Sequence, residues 1–354
     1  MIVHQWVPAA HRGDAIGDSV RAVRDLLRRR GHESDIFALT IDDDLRGDVR
    51  PFADPAARQG DITIFHFALP SPMTAAFAGL AGAKVLQYHN ITPAHFFAPY
   101  HRDLFALTAR GRQELATLVG RVDLAVGVSE FNRRELDALG FAPTGVIPLA
   151  VDTARFATAP PCPALEAILL DDFVNILFVG RVAPNKRLED HIRMAEHYKR
   201  YVDDGYRFLF VGRTDVVPQY YSAIRALIAE FKMPPERFVF TGAVPDHELV
   251  TYYRCADAYV SLSEHEGFCV PLVEAMAADV PILAYAAGAV PETLGGAGLV
   301  FAPKDLEFAA ESLGLLIYDE TLRDAVLAGQ RRRLADFGLS RIEREMDQLV
   351  ARLS

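Results

Sequence analysis

Apolar and polar positions fall in blocks along this chain. Short continuous apolar runs recur at Met1–Val7, Asp35–Leu39, Ile62–Leu69 (ITIFHFAL), Lys84–Tyr88 (KVLQY), Leu124–Ser129 and Val146–Val151 (VIPLAV). After residue 172 they recur at Val174–Val179 (VNILFV), Arg207–Val211, Phe238–Gly242, Cys255–Ser263, Pro281–Tyr285 and Leu299–Phe301. Runs of this length without period-two alternation predict strands covered on both faces, as in a parallel sheet. Between them the spacing turns helical. Val20, Val23 and Leu27 share one face and Gly31 stops that helix, while Ser129 and Gly140 bracket a helix over Glu130–Leu139. Ala94–Gly120 reads as mainly helical, a further helix lies near Tyr220–Phe231, and Ile342, Met346, Leu349 and Leu353 form one apolar stripe near the end. Strand–loop–helix–strand units build parallel α/β sheets. The alternation runs twice, on either side of a stretch at 157–172 holding Pro160, Pro161, Pro163 and an acidic pair. The expectation is two Rossmann-like doubly wound domains, 1–156 and 173–335, with 157–172 as linker and 336–354 as a terminal helix.

Ser261–Ala277 (SLSEHEGFCVPLVEAMA) concentrates candidate chemistry. A buried strand leads into the loop Glu266-Gly267-Phe268-Cys269, and Pro271 stands where a helix would begin. Leu272, Val273, Ala275 and Met276 continue it, with Glu274 placed in the first turn. Strand, loop and helix N-terminus is the geometry in which α/β folds hold phosphate, through free backbone N–H groups and the helix dipole. Glu266 and Glu274 flank that spot. A carboxylate repels phosphate, so both are better used accepting hydrogen bonds from hydroxyls, such as those of a sugar and a ribose on either side of a diphosphate. As ordinary residues, Glu266 would be a solvated loop carboxylate and Glu274 a match to the helix dipole.

Upstream, Gly180-Arg181 ends a strand and Lys186 follows within Gly-Arg-Val-Ala-Pro-Asn-Lys-Arg. Arg forks onto two oxygens and Lys adds a point charge, which makes a compact anion site. In the first half, Gly13 and Gly17 sit in the loop read at Pro8–Gly17. His66 closes one strand, and His89 and Asn90 close another, at the ends where open α/β sheets bind ligands.

The glutamate–seven residues–glutamate spacing, with Gly-Phe after the first, resembles the retaining glycosyltransferases of the GT-B fold, specifically the family-four, group 1 type. Gly-Arg…Lys, Val-Asp-x-x-Arg-Phe at Val151–Phe156 and Gly-x-x-Pro-Glu at Gly288–Glu292 carry the likeness further. The resemblance implies two domains facing across a cleft, with the terminal helix crossing back to the first. It implies that Arg181 and Lys186 bind the pyrophosphate of a nucleotide sugar, helped by the backbone at Gly267, Phe268, Cys269 and Val270. Glu266 would hold sugar hydroxyls, Glu274 the ribose, Val244 the base through backbone groups, and His89 would orient the sugar. Gly13 would lie near the sugar donor's phosphates, although Gly-Asp-Ala-Ile-Gly replaces the commoner tandem glycine. The reaction implied is sugar transfer with retention, from GDP-mannose or a UDP-hexose to a glycan, lipid-linked or small-molecule acceptor, without cofactor or metal. A GT-B phosphorylase, a nucleotide-sugar epimerase and a non-catalytic nucleotide-sugar-binding paralogue are the alternatives.

Composition narrows this little. The 354 residues suit two domains, and a formal charge of −10 argues against a general nucleic-acid binder. Cys162, Cys255 and Cys269 show no ligand spacing, so neither a zinc site nor a disulfide framework is expected, and a reducing cytoplasm is. Asp42-Asp43-Asp44 reads as a solvated turn. No basic leader or bilayer-length apolar run is seen. The basic turn Arg28–Arg30 suits a helix C-terminus and is the one hint of weak peripheral contact with the inner face of a membrane.

Overall fold

A computed structural model describes residues 1–354. The chain divides into two compact units: residues Met1–His95, Asp103–Val151 and Phe337–Ser354 form the first, and Phe96–Arg102 with Asp152–Asp336 the second.

The first unit runs β1 (Val3–Ala10), α1 (Ala15–Arg29), β2 (Ile36–Ile41), β3 (Arg50–Pro51), β4 (Ile62–Phe67), α2 (Met73–Ala78), β5 (Ala83–Tyr88), α3 (Arg102–Ala116), β6 (Leu124–Gly127), α4 (Glu130–Leu139) and β7 (Thr144–Val146). Its strands are parallel in the order β3-β2-β1-β4-β5-β6-β7. Both faces are covered, which is why the strands read as unbroken apolar runs. On one face Val23, Leu26 and Leu27 of α1 pack on Val3, Ile62, Ile64 and Val85, together with Ile342, Met346 and Leu349 of the terminal helix Leu339–Leu353. On the other lie Trp6, Phe37, Phe65, Phe77 and Tyr88.

Several boundaries differ from the sequence reading, among them the helical stretch read over Ala94–Gly120, whose helix is Arg102–Ala116. The loop expected over 8–17 shrinks to four residues because β1 continues to Ala10 and Asp14 caps α1, its carboxylate accepting from the Ile16 N–H; Gly17 is therefore helical. The strand expected at Val146–Val151 stops early. Ile147 N–H still bonds Gly127 C=O at 3.0 Å, but Pro148 has no N–H to continue the ladder. The basic turn is engaged internally: Arg28 bonds Asp35 and the Ser34 carbonyl, and Arg30 pairs with Glu343 and Asp347 of the terminal helix. Asp42 and Asp44 hold His11 and Arg12, while Asp43 holds Arg46.

The second unit runs α5 (Arg155–Thr158), α6 (Pro163–Leu169), β8 (Val174–Val179), α7 (Leu188–Tyr201), β9 (Tyr206–Val211), α8 (Pro218–Glu230), β10 (Phe238–Gly242), α9 (Asp246–Arg254), β11 (Ala258–Ser261), α10 (Val270–Ala277), β12 (Ile282–Tyr285), α11 (Val290–Leu294), β13 (Leu299–Phe301), α12 (Leu306–Tyr318) and α13 (Glu320–Leu334); Leu339–Leu353 is α14. Its strands are parallel in the order β10-β9-β8-β11-β12-β13. Residues 157–172 hold α6 and are tied down: Arg254 bonds the Phe156 and Ala159 carbonyls, and Arg207 and Asn175 both bond the Leu169 carbonyl. No helix is long and apolar enough to cross a membrane.

Candidate active site

Chain direction around the second sheet reverses between β8 and β11, and ligands of open α/β sheets bind outside the carboxyl ends at such a point. Every second-unit candidate loop lies at a carboxyl end, with the loops after β8 and β11 side by side. After β8, Gly180 takes φ +156° and Val182 N–H bonds the Arg213 carbonyl at 2.8 Å. Gly212, at φ +140°, admits no side chain because its Cβ would fall 2.3 Å from the Gly180 oxygen. This close approach of two backbones puts Arg181 in an exposed position with no ion-pair partner. Lys186, at the end of the short 3-10 turn Pro184–Lys186, reaches across to Glu266, its Nζ 2.6 Å from Oε1.

The loop after β11 is braced along its length. Glu264 N–H bonds the Asn185 carbonyl at 2.9 Å, and the Asn185 amide returns to the His265 carbonyl at 3.1 Å. Lys304 spends its three protons on Asp190 (2.6 Å), Glu264 (3.1 Å) and the Leu262 carbonyl (2.8 Å). Burial alone would raise the Asp190 carboxyl, but Lys304 and Arg187 beside it hold it below the usual carboxylate range. The Glu266 carbonyl accepts from Ala289 N–H at 2.9 Å, and Thr293 Oγ donates to the Phe268 carbonyl. Glu266 itself is 7 % exposed.

Cys269 caps α10 in the left-handed region, at φ +68°, which turns the chain from loop to helix in one residue. Burial pushes its thiol well above its ordinary range, so the sulfur is a neutral packing group and not a nucleophile. With Cys269 as cap, Val270 opens the helix and Pro271 is its second residue. Glu274 thus lies one residue further in than expected from the sequence, as the fifth residue of the helix and just past its first turn. It is 6 % exposed, with Oε1 accepting from Arg155 and Oε2 from the Tyr253 hydroxyl at 2.8 Å. Burial and the neighbouring Glu274 keep Tyr253 protonated, hence a donor. Val244 lies half-buried in the loop between β10 and α9.

The structure thus gathers Arg181, Lys186, Glu266, Gly267, Phe268, Cys269, Val270, Glu274 and Val244 on the second unit. Gly13 and His89 belong to the first. Gly13 has φ +67° in open space, so conformation and not crowding calls for glycine there. His89 follows β5, its Nε2 2.9 Å from Nδ1 of the buried His66. Arg155, Tyr253, Lys304 and Asp190 escaped the sequence reading. Arg155 was visible only as part of a connecting segment, and the others sit on helices or loops without motif spacing.

Residues 168–333 match the family model described as Glycosyl transferases group 1, and residues 16–155 match that described as Glycosyltransferase Family 4. The chain belongs to the group 1 glycosyltransferases. Among relatives of this glycosyltransferase, the Mycobacterium tuberculosis GDP-mannose-dependent alpha-(1-6)-phosphatidylinositol monomannoside mannosyltransferase is 25 % identical over 91 % of this chain and 81 % of its own length. The Escherichia coli O-antigen chain mannosyltransferase B is 34 % identical, with the match spanning 25 % of this chain and 23 % of that protein. The fold is that of Anabaena HepE solved with UDP-glucose, at TM-score 0.79, 16 % identity and full coverage of both chains. It is also that of a Thermosynechococcus elongatus sucrose-phosphate synthase, at TM-score 0.75 and 18 % identity over 99 % and 98 % of the two chains. A GT-B group 1 glycosyltransferase uses a nucleotide sugar.

Proposed function

We propose that this glycosyltransferase moves a hexose from a nucleoside-diphosphate sugar to a glycan or lipid-linked acceptor, with retention and without a metal ion. The observation that carries the reading is the juxtaposition, at the β8/β11 switch point, of an unpaired Arg181 with the Lys186–Glu266 pair. The energetic problem is charge on the departing diphosphate, and preorganised positive groups aimed at it are the largest catalytic term in such sites. Arg181 forks onto the phosphate oxygens and Lys186 adds the second charge, aided by backbone N–H groups at Phe268–Val270. Positive charge is thereby supplied by the chain itself.

Glu266 then accepts hydroxyls of the transferred sugar. When Lys186 turns to phosphate, the carboxylate regains lone pairs for that task. Glu274, steadied by Arg155 and Tyr253, presents its carboxylate to the ribose hydroxyls. The Val244 loop takes the base, and His89 orients the sugar. Retention follows from same-face attack in which the leaving phosphate takes the acceptor's proton; no side chain is assigned as nucleophile. The names of the mannosyltransferase relatives favour GDP-mannose, and the HepE complex keeps UDP-glucose close behind.

Thermal stabilisation by UDP, GDP, ADP and their sugars, measured with EDTA present, tests the reading, because a ligand of the folded state raises its apparent stability. A shift confined to one base series supports it and names the base. No shift with any nucleotide overturns it, and binding with no turnover of any sugar donor leaves a non-catalytic binding protein.

A further inference from the structure

In the first unit, one hydrogen-bonded chain runs from a backbone carbonyl to a histidine nitrogen without a partner. The Val20 carbonyl can only accept, so the Gln5 side-chain atom 3.0 Å from it is the NH2 group. The other end of Gln5 is then its oxygen, which can also only accept, and it lies 3.1 Å from His66 Nε2. His66 Nε2 must carry a proton. His66 is 2 % exposed, and burial keeps its imidazole neutral, so Nδ1 is bare. That bare nitrogen lies 2.9 Å from His89 Nε2, which therefore carries the proton. His89 is neutral as well, its desolvated ring pushed down to about 3. Its remaining nitrogen, Nδ1, is a lone-pair acceptor shielded from water and bonded to nothing in the protein.

We propose that Gln5 and His66 are positioning residues that lock His89 in a single tautomer, with Nδ1 an obligate acceptor for one sugar hydroxyl. The inference rests on the reading above that His89 faces the transferred sugar. It adds what that sugar must bring: a proton at the contacting atom. A hydroxyl satisfies Nδ1, whereas a carboxylate or an ether oxygen would meet it lone pair against lone pair. The relay starts at the main chain of α1 and ends at the carboxyl end of β5, so the parallel register of β1, β4 and β5 sets its geometry.

Long-range proton–nitrogen NMR on full-length protein labelled at histidine nitrogen reads the tautomer directly, with His89→Asn serving for assignment. At neutral pH, His89 should show an unprotonated Nδ1 and a protonated Nε2. The reverse pattern, or two protonated nitrogens, overturns the relay. In Gln5→Met, His66 loses its acceptor and can turn its proton toward His89. The His89 signals should then move toward a tautomer mixture, with KM for the nucleotide sugar up about tenfold, the loss of one hydrogen bond. Affinity for the free nucleotide should not change. Unchanged His89 signals in Gln5→Met also overturn the relay. UDP-glucose or GDP-mannose, whichever stabilises the protein, should shift the wild-type Nδ1 signal while its nucleotide does not. A correct tautomer with no such shift keeps the relay and removes His89 from the sugar.

Discussion

Lys186→Ala should destabilise the protein well beyond an ordinary loop substitution, because it strands Glu266. The side chains of the pair are 15 % and 8 % exposed, with Nζ and Oε1 2.6 Å apart. Removing one partner of a buried pair costs about 3–5 kcal/mol, chiefly through the charge left behind. Water reaching the site of the missing lysine lowers this to about 2–3 kcal/mol. For a unit of this size that is a melting-temperature drop of roughly 4–12 °C. Adding Glu266→Gln removes the stranded charge, so the double variant should be about 2 kcal/mol more stable than the sum of the singles predicts. Arg181→Ala supplies the control. It lies on the same loop but is exposed and unpaired, and should change stability by less than about 0.5 kcal/mol. Each of the variants should lose about 10²- to 10³-fold in turnover, so activity cannot separate the roles and calorimetric unfolding can. Equal stability losses in Lys186→Ala and Arg181→Ala, or strict additivity in the cycle, would refute the coupling.

Product from an α-linked nucleotide sugar should carry an α anomeric signal by proton NMR, and turnover should survive EDTA; a β product or loss of activity in chelator removes the corresponding part of the mechanism. Gly288→Ala puts a Cβ 2.4 Å from the Glu266 oxygen at φ +55°, so it should displace the Glu266 loop and raise KM for the nucleotide sugar while the nucleotide alone still stabilises the protein. An unchanged KM would show that the loop position does not matter. The first unit should lose stability as pH falls below 6.5. Unfolded imidazoles bind protons there, whereas native His89 does so only near 3 and His66 is likewise depressed. The contribution is present above the unfolded pKa and is lost on acidification, at about 2 kcal/mol for His89 between pH 7 and 5, with His66 acting in the same direction. His89→Asn should flatten that slope, and an unaltered slope would mean that His89 is charged in the native state.

Much of the architecture was legible because both sheets are parallel and covered on two faces, which turns each strand into an apolar run bounded by glycine or a polar loop. Val174–Val179, Phe238–Gly242 and Leu299–Phe301 match their strands to the residue. Boundaries failed where a single side chain decided them: Asp14 caps α1 three residues before Gly17, and Pro148 ends a strand whose composition would carry it further. The donor loops were readable from chemistry concentrated at strand ends. Their bracing was not, because Lys304 reaches Asp190 and Glu264 from far along the chain, and Arg155 meets Glu274 from a connecting segment. Pairing of that kind leaves no periodic trace. The same holds for the His66–His89 contact, where one strand supplies the first ring and the residue just after the adjacent strand supplies the second.

Titration calorimetry of the stabilising nucleoside diphosphate against its parent nucleoside, in EDTA, on wild type and Arg181→Ala tests the diphosphate assignment most directly. Arg181→Ala should weaken the diphosphate at least tenfold, equivalent to about 1.4 kcal/mol, and leave the nucleoside unchanged. Equal affinity of both proteins for the diphosphate would contradict a phosphate site at the β8/β11 switch point.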